Sequence, residues 1–280
     1  ICPKISELPN DPGYGGNTDN RYTQAEGLHQ GKYYSPKHAA AGLDPWVTPA
    51  AYDNARDFFE TGTAWTNNVT VSQNLGKGDY SFSLGNTDQK GIVKNTGMER
   101  YNAKMNGNLK LNSYLSTGFS GNFVASKIKK QSGANDGLMA TLWGAPPSYD
   151  MKGIPSHTPS DPYTQVHFRS LTFDNPYWAV ENNEFSERSQ RFFGNAYLRF
   201  EYPIKDNMKL DVKYQLGIDA YTTSYKDLFG YGHKGSDGEV SNETRTVNEL
   251  NSLLTATFDW NITDDFHFNF LYGNEIVQRS

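Results

Sequence analysis

Arg100-Tyr101-Asn102-Ala103-Lys104-Met105-Asn106-Gly107-Asn108-Leu109-Lys110-Leu111 alternates between polar side chains at even positions and apolar or small ones at odd positions. A helix would spread the two sets around its circumference; a strand puts one set on each face. The odd set continues through Leu115, Thr117, Phe119, Gly121 and Phe123. A two-residue hairpin would reverse that parity, so the turn at Asn112-Ser113-Tyr114 holds an odd number of residues.

The same design recurs on even numbers. Phe192, Gly194, Ala196, Leu198, Phe200 and Tyr202 alternate with Arg191, Asn195, Arg199 and Glu201. After a short turn, Met208, Leu210, Val212, Tyr214, Leu216, Ile218 and Ala220 alternate with Lys209, Asp211, Lys213, Gln215 and Asp219. A last pair runs through Leu250, Leu254, Ala256, Phe258 and Trp260, then Phe266, Phe268, Phe270 and Tyr272. Shorter runs at Asn68–Ser72 and at Tyr80, Phe82 and Leu84 precede them. The reading is all-β: an antiparallel transmembrane β-barrel segment of about eight strands. A soluble β-sandwich competes, but its strands run to about five or six residues, and these alternating runs are longer.

Connections alternate as well. Tight turns join the strands of each hairpin, and longer connections separate hairpins, at about 86–97, 124–190 and 221–247. Outer-membrane barrels have this asymmetry, with short periplasmic turns and long extracellular loops. Tyr114, Tyr202, Trp260 and Phe266 cluster at the turns, as an interfacial aromatic girdle requires. Residues 1–64 show no sustained period and are expected to be an extracellular loop region, with a short helix around Ala50–Phe59; residues 65–280 are the strands and their loops.

Composition agrees. The 280 residues are 36% hydrophobic and 14% aromatic, with a mean hydropathy of -0.72. No apolar run is long enough for a membrane helix, whereas a barrel strand needs only about 9–11 residues with alternate side chains apolar. The net charge of -5 argues against nucleic acid as a partner. The densest basic stretch, Lys127-Ile128-Lys129-Lys130, reads as a solvated strand end. Cys2 is the only cysteine, so no internal disulfide or cysteine metal cluster can form.

Histidines His29, His38, His157, His167, His233 and His267 lack metal-motif spacing, and neither a G-x-S-x-G elbow nor a P-loop is present. Asn10-Asp11 and Asp19-Asn20 sit among glycines as calcium ligands would, but without EF-hand spacing, and read as plain loop. No metal, cofactor or enzymatic activity is expected. Trp143, Tyr149, Tyr177 and Trp178 in the longest loop are the candidate substrate contacts, because aromatic rings stack on sugars and grip peptides; packing the loop against itself is the plainer role. Arg100, Lys104, Arg199 and Lys213 are expected to line the lumen, since a charge facing lipid at the bilayer midplane costs up to about 2–4 kcal/mol.

Several stretches resemble a known family. Phe58-Phe59-Glu60-Thr61-Gly62, Asn67-Asn68-Val69-Thr70-Val71-Ser72, Asp79-Tyr80-Ser81-Phe82-Ser83-Leu84-Gly85, Gly91 and Arg100-Tyr101-Asn102 are similar to early barrel strands of SusC/RagA-type TonB-dependent transporters. Asn175-Pro176-Tyr177-Trp178, Asn182-Asn183, Phe185 and Arg191-Phe192 resemble a later loop-to-strand passage, and Thr263-Asp264-Asp265-Phe266-His267-Phe268 with Tyr272-Gly273-Asn274-Glu275 also fits. The resemblance covers the chain from about residue 58 onward. It implies a multi-pass protein of the Gram-negative outer membrane, in a barrel of about 22 strands. It also implies import of oligosaccharides or peptides with a SusD-like surface lipoprotein as lid. TonB would act through a plug region that these residues do not supply, leaving this chain roughly a third of the wall. The alternatives are a complete small barrel serving as adhesin or anchor, and a barrel-borne hydrolase, which no residue pattern selects.

Overall fold

The structure is a computed structural model and describes residues 4–10, 31–132 and 137–280. Cys2, His29, Asp11, Asp19 and Asn20 lie outside the described residues. In chain order, short elements come first: β1 (Tyr33–Tyr34), α1 (Pro36–Ala40), β2 (Trp46–Val47) and α2 (Asn54–Phe58). Four strands follow, β3 (Thr63–Asn74), β4 (Gly78–Lys90), β5 (Gly97–Lys110) and β6 (Leu115–Lys130). An insertion carries α3 (Leu138–Gly144), β7 (His157–Thr158), β8 (Asp161–Gln165) and α4 (Pro176–Asn182). The chain closes with β9 (Glu184–Lys205), β10 (Met208–Phe229), β11 (Glu239–Thr263) and β12 (Phe266–Arg279).

The long strands form one eight-stranded antiparallel sheet in the order β12-β11-β10-β9-β6-β5-β4-β3. Every neighbour in the sheet is also the next long strand in sequence, as in the wall of an up-and-down barrel. The fold is thus an all-β barrel segment. The odd-residue turn is present: Lys110 pairs with Ser116, and Leu111 N–H donates to Leu115 O at 2.8 Å across Asn112, Ser113 and Tyr114. The side chain of Asn112 fixes that turn by accepting from the N–H groups of Tyr114 and Leu115.

Register sorts the faces. Phe82, Met105 and Gly121 lie in one cross-strand row, as do Leu198, Tyr214 and Leu254. This face stands open, with Tyr101 and Phe270 each 55% exposed and Leu198 47%. Soluble proteins rarely expose so large an apolar patch, because burying it is the main drive to fold. Near the turns aromatic rings meet, Tyr114 with Tyr202 at 5.4 Å and Phe200 stacked on Tyr202 at 5.9 Å.

The strands outrun their sequence patterns. The stretches 124–190 and 221–247, read as loops from their lost alternation, are partly strand: β6 reaches Lys130, β9 starts at Glu184, and β10 and β11 pair up to Phe229 and Glu239. In β10 and β11 the stretch above the apolar band is rich in Thr and Ser and is joined by hydroxyl pairs such as Thr222–Thr246 and Ser224–Thr244, both 3.2 Å. With water on both sides, pairing no longer demands alternation.

At this end of the sheet the molecule has its only enclosed apolar core among the described residues. Phe58, Val93, Leu138, Leu142, Met151, Ile154, Val166 and Val180 pack together, joining α2, the β4–β5 turn, α3 and α4. Two of these helices have a side-chain cap at their start. Asp53 caps α2 by accepting from Arg56 N–H. Asn175 caps α4 by accepting from Tyr177 N–H, with Pro176 in its first turn.

Candidate functional site

Two surfaces could meet a solute: the polar face of the sheet and the loop layer above it. On the polar face, charges are bound to one another. The Arg199 guanidinium donates through Nε to both Asp211 oxygens at 2.9 and 3.1 Å. It also approaches Glu201 at 3.4 Å, which in turn accepts from Lys209 Nζ at 2.8 Å. Lys213, the register partner of Arg199, holds its ammonium 4.7 Å over the Tyr197 ring. The Tyr197 hydroxyl donates to Asn108 at 3.0 Å, and Asn108 donates to Asp79 at 3.2 Å. Higher up, Arg191 donates through Nε to Asp219 at 2.8 Å and stacks near Phe193 and Tyr221. Forked arginine–carboxylate contacts fix both partners in position.

Arg100 and Lys104 share this face on β5. Arg100 stands between Thr87 and Ser126, and Lys104 between Ser83 and Asn122. Among the described residues, neither is in an ion pair with a carboxylate. The four basic residues singled out in the sequence are therefore on one face, but only Arg199 is held by carboxylates. A shallow depression opens beside them around Gly217, bordered by Ser120, Asn122, Asn195, Asp219 and Asn251, with a volume of about 360 Å³.

The four loop aromatics do not form one surface: Tyr149 and Tyr177 share the apolar core, and Trp143 is exposed. Trp178 is 1% exposed and donates through Nε1 to Pro162 O at 3.0 Å. Tyr149 is buried, its ring 4.8 Å from Phe168. Tyr177 packs edge-on against Phe58 at 5.2 Å. The hydroxyls of Tyr149 and Tyr177 are enclosed. Burial, reinforced by the negative charge of neighbouring carboxylates, raises both above the usual phenol range, Tyr177 to about 12. Trp143, at the end of α3, is 69% exposed and is the one of the four that reaches solvent freely.

Sequence reading missed the polar network that ties the loops together. The buried Asp174 carboxylate accepts from Gln165 Nε2 and Lys234 N–H, both at 2.8 Å, and from His233 Nδ1 at 2.5 Å. Asn183, also buried, accepts from Gly230 N–H at 2.9 Å. Gln165 closes the circuit by accepting from Asn175 N–H. The segment 230–238 between β10 and β11 is thereby fastened to the insertion between β6 and β9. The Asp174-Asn175-Pro176 triplet marks a helix start in the sequence, but its link to His233 is a long-range contact with no local signal. Among the described residues, no three His, Cys, Asp or Glu side chains cluster as a metal site.

No family model and no curated protein matches the sequence. Solved structures do. One described as the RagAB peptide importer in the closed-closed state matches at 17% identity and a TM-score of 0.66, over 100% of this chain and 32% of that one. The RagAB peptide transporter matches at 16% identity and a TM-score of 0.67, over 98% and 32%. The open-open state of the importer matches at 16% and 0.66, over 98% and 31%. This chain spans about a third of the length of the solved chains it matches. Identity at that level establishes the fold, and the barrel-wall fold shared with RagAB importer chains is the one that the SusC/RagA resemblance implies.

Proposed function

We propose that the chain forms part of the wall, and part of the substrate-facing loop layer, of a SusC/RagA-type TonB-dependent importer in the outer membrane. One observation carries the reading: an eight-stranded meander with an open apolar face on one side and an ion-paired polar face on the other. That division suits lipid outside and a hydrated lumen inside. Arg100, Lys104, Arg199 and Lys213 then line the lumen. Of the loop aromatics, Trp143 is placed to touch substrate, while Tyr149, Tyr177 and Trp178 hold the loop layer in shape.

The cargo on this reading is a peptide or an oligosaccharide; the description of the fold-sharing chains as peptide importers supports the peptide. A SusD-like lipoprotein over the loops and TonB acting through a plug complete the assembly. The alternative of a self-contained small barrel finds less support, since β3 and β12 do not pair with each other among the described residues. The test compares uptake of labelled oligopeptides and oligosaccharides in cells with and without the gene, and with TonB inactivated. Expected is a loss of uptake of one class in both deletions. Unchanged uptake of both classes, with the protein present in the outer membrane, would falsify the importer reading.

A further inference from the structure

The apolar face does not stay apolar to the tops of the strands. Four residues beyond Phe123 on that face comes Lys127, and four before Phe192 comes Arg188. The two are directly opposite each other on β6 and β9. Lys129 follows Lys127 on the same face, opposite Gly97 on one side and Ser186 on the other. A tilted strand climbs roughly 9–10 Å over four residues, enough to pass from the edge of the hydrocarbon through a headgroup layer of about 5–8 Å.

The three cations differ from their neighbours in how they are paired. Lys226 on the same face is paired with Glu184 at 3.0 Å, and Lys90 with Glu60 at 2.8 Å. Lys130, on the opposite face, reaches Glu187 at 3.5 Å. Among the described residues Lys127, Lys129 and Arg188 make no ion pair: Glu99, across from Lys127 on β5, does not close one, and Glu184, whose charge also acts on Lys127 and Lys129, is bound to Lys226. Like charges directly opposite in a sheet destabilise it unless an anion sits between them. A surface cavity of about 250 Å³ opens beside Lys127 and Lys129, bordered also by Lys90, Gly97 and the carboxylates Asp88 and Glu99.

We propose that Lys127, Lys129 and Arg188 bind the phosphate of a glycolipid headgroup in the outer leaflet, fixing the height of the barrel wall in the membrane. The charge suits a phosphate from either source; the continuity of the basic trio with the apolar band below it selects a lipid over a soluble anion. The proposal rests on the outer-membrane reading above.

The test uses the intact protein extracted from outer membranes in mild detergent. Retained lipid is measured by native mass spectrometry, and rebinding of phosphorylated lipid A is compared with phosphate-free lipid A and with inorganic phosphate. The variant is Lys127→Gln/Lys129→Gln/Arg188→Gln; Lys130→Gln, on the opposite face, is the control. Affinity for phosphorylated lipid A should fall about a hundredfold in the triple variant, the loss expected for three basic groups at a charged membrane surface, and remain in the control. Equal binding by the triple variant, equal binding of phosphate-free lipid A, or full competition by inorganic phosphate overturns the proposal while leaving the membrane reading intact. Absence of the parent protein from the outer-membrane fraction overturns both.

Discussion

The two ends of this molecule sort their side chains in opposite senses. Along the lower strands, Leu198, Leu216 and Phe270 stand exposed on one face, and on the other Arg199 binds Asp211 and Lys213 lies over Tyr197. In the loop layer, Leu142, Met151 and Val180 are enclosed, and charges such as the Lys94–Glu181 pair stand in solvent. One chain follows one rule at both ends: apolar groups leave water. What differs is where water lies, and that is the mark of a protein with lipid around its middle.

The sharpest way to break this contrast is to put a charge on the same face at two heights. Leu216→Arg lies in the apolar band and should cost about 2–4 kcal/mol, read as loss of the folded, heat-modifiable form on electrophoresis. Ser224→Arg, further along the same strand, should change stability by no more than about 0.5–1 kcal/mol. Equal effects would mean that the band does not face lipid.

A second experiment separates the loop layer from the wall. Asp174→Ala removes the acceptor shared by Gln165, His233 and Lys234 N–H and leaves buried donors unmatched, at a cost of about 2–3 kcal/mol. Limited proteolysis should then cut within 137–183 and 230–238 while the strands resist. Cleavage spreading into the strands would show that the two regions unfold as one.

The smallest effect concerns alkali. Tyr177 is raised to about 12, and Tyr149 is also raised, in both cases first by burial. A raised folded pKa leaves its contribution intact below the unfolded phenol value near 10. That contribution is lost as pH climbs from there through about 12. The loop layer should loosen in that window, followed by Trp fluorescence, and Tyr149→Phe/Tyr177→Phe should flatten the change. A transition unchanged by the double substitution would assign it elsewhere.

The same contrast explains what could be read from residues alone. Alternation reports a difference between two faces, so the strands were legible where one face is apolar, from Arg100 to Leu111 or Met208 to Ala220. It fell silent at Thr222–Lys226 and Asn242–Thr246, where the strands continue with water on both sides. The short helix expected around Ala50–Phe59 is present as Asn54–Phe58, and the Asp53 cap that starts it is a finding of the structure. The roles of Tyr149, Tyr177 and Trp178 were not legible, because a loop aromatic looks alike in sequence whether it faces solvent or fills a core. Nor was the Asp174–His233 link, which depends on two loops meeting in space.

Lys130 and Phe185, at the two ends of the insertion between β6 and β9, are register partners. The whole insertion therefore leaves and rejoins the wall at one point, and exchanging it for another of different length would change closure entropy only by about 0.6 kcal/mol per doubling. Its partners around 33–58 and the β4–β5 turn would have to be exchanged with it. On the importer reading proposed above, specificity and span would then be separable: a graft with adjoining ends could be swapped while the strands keep the same register.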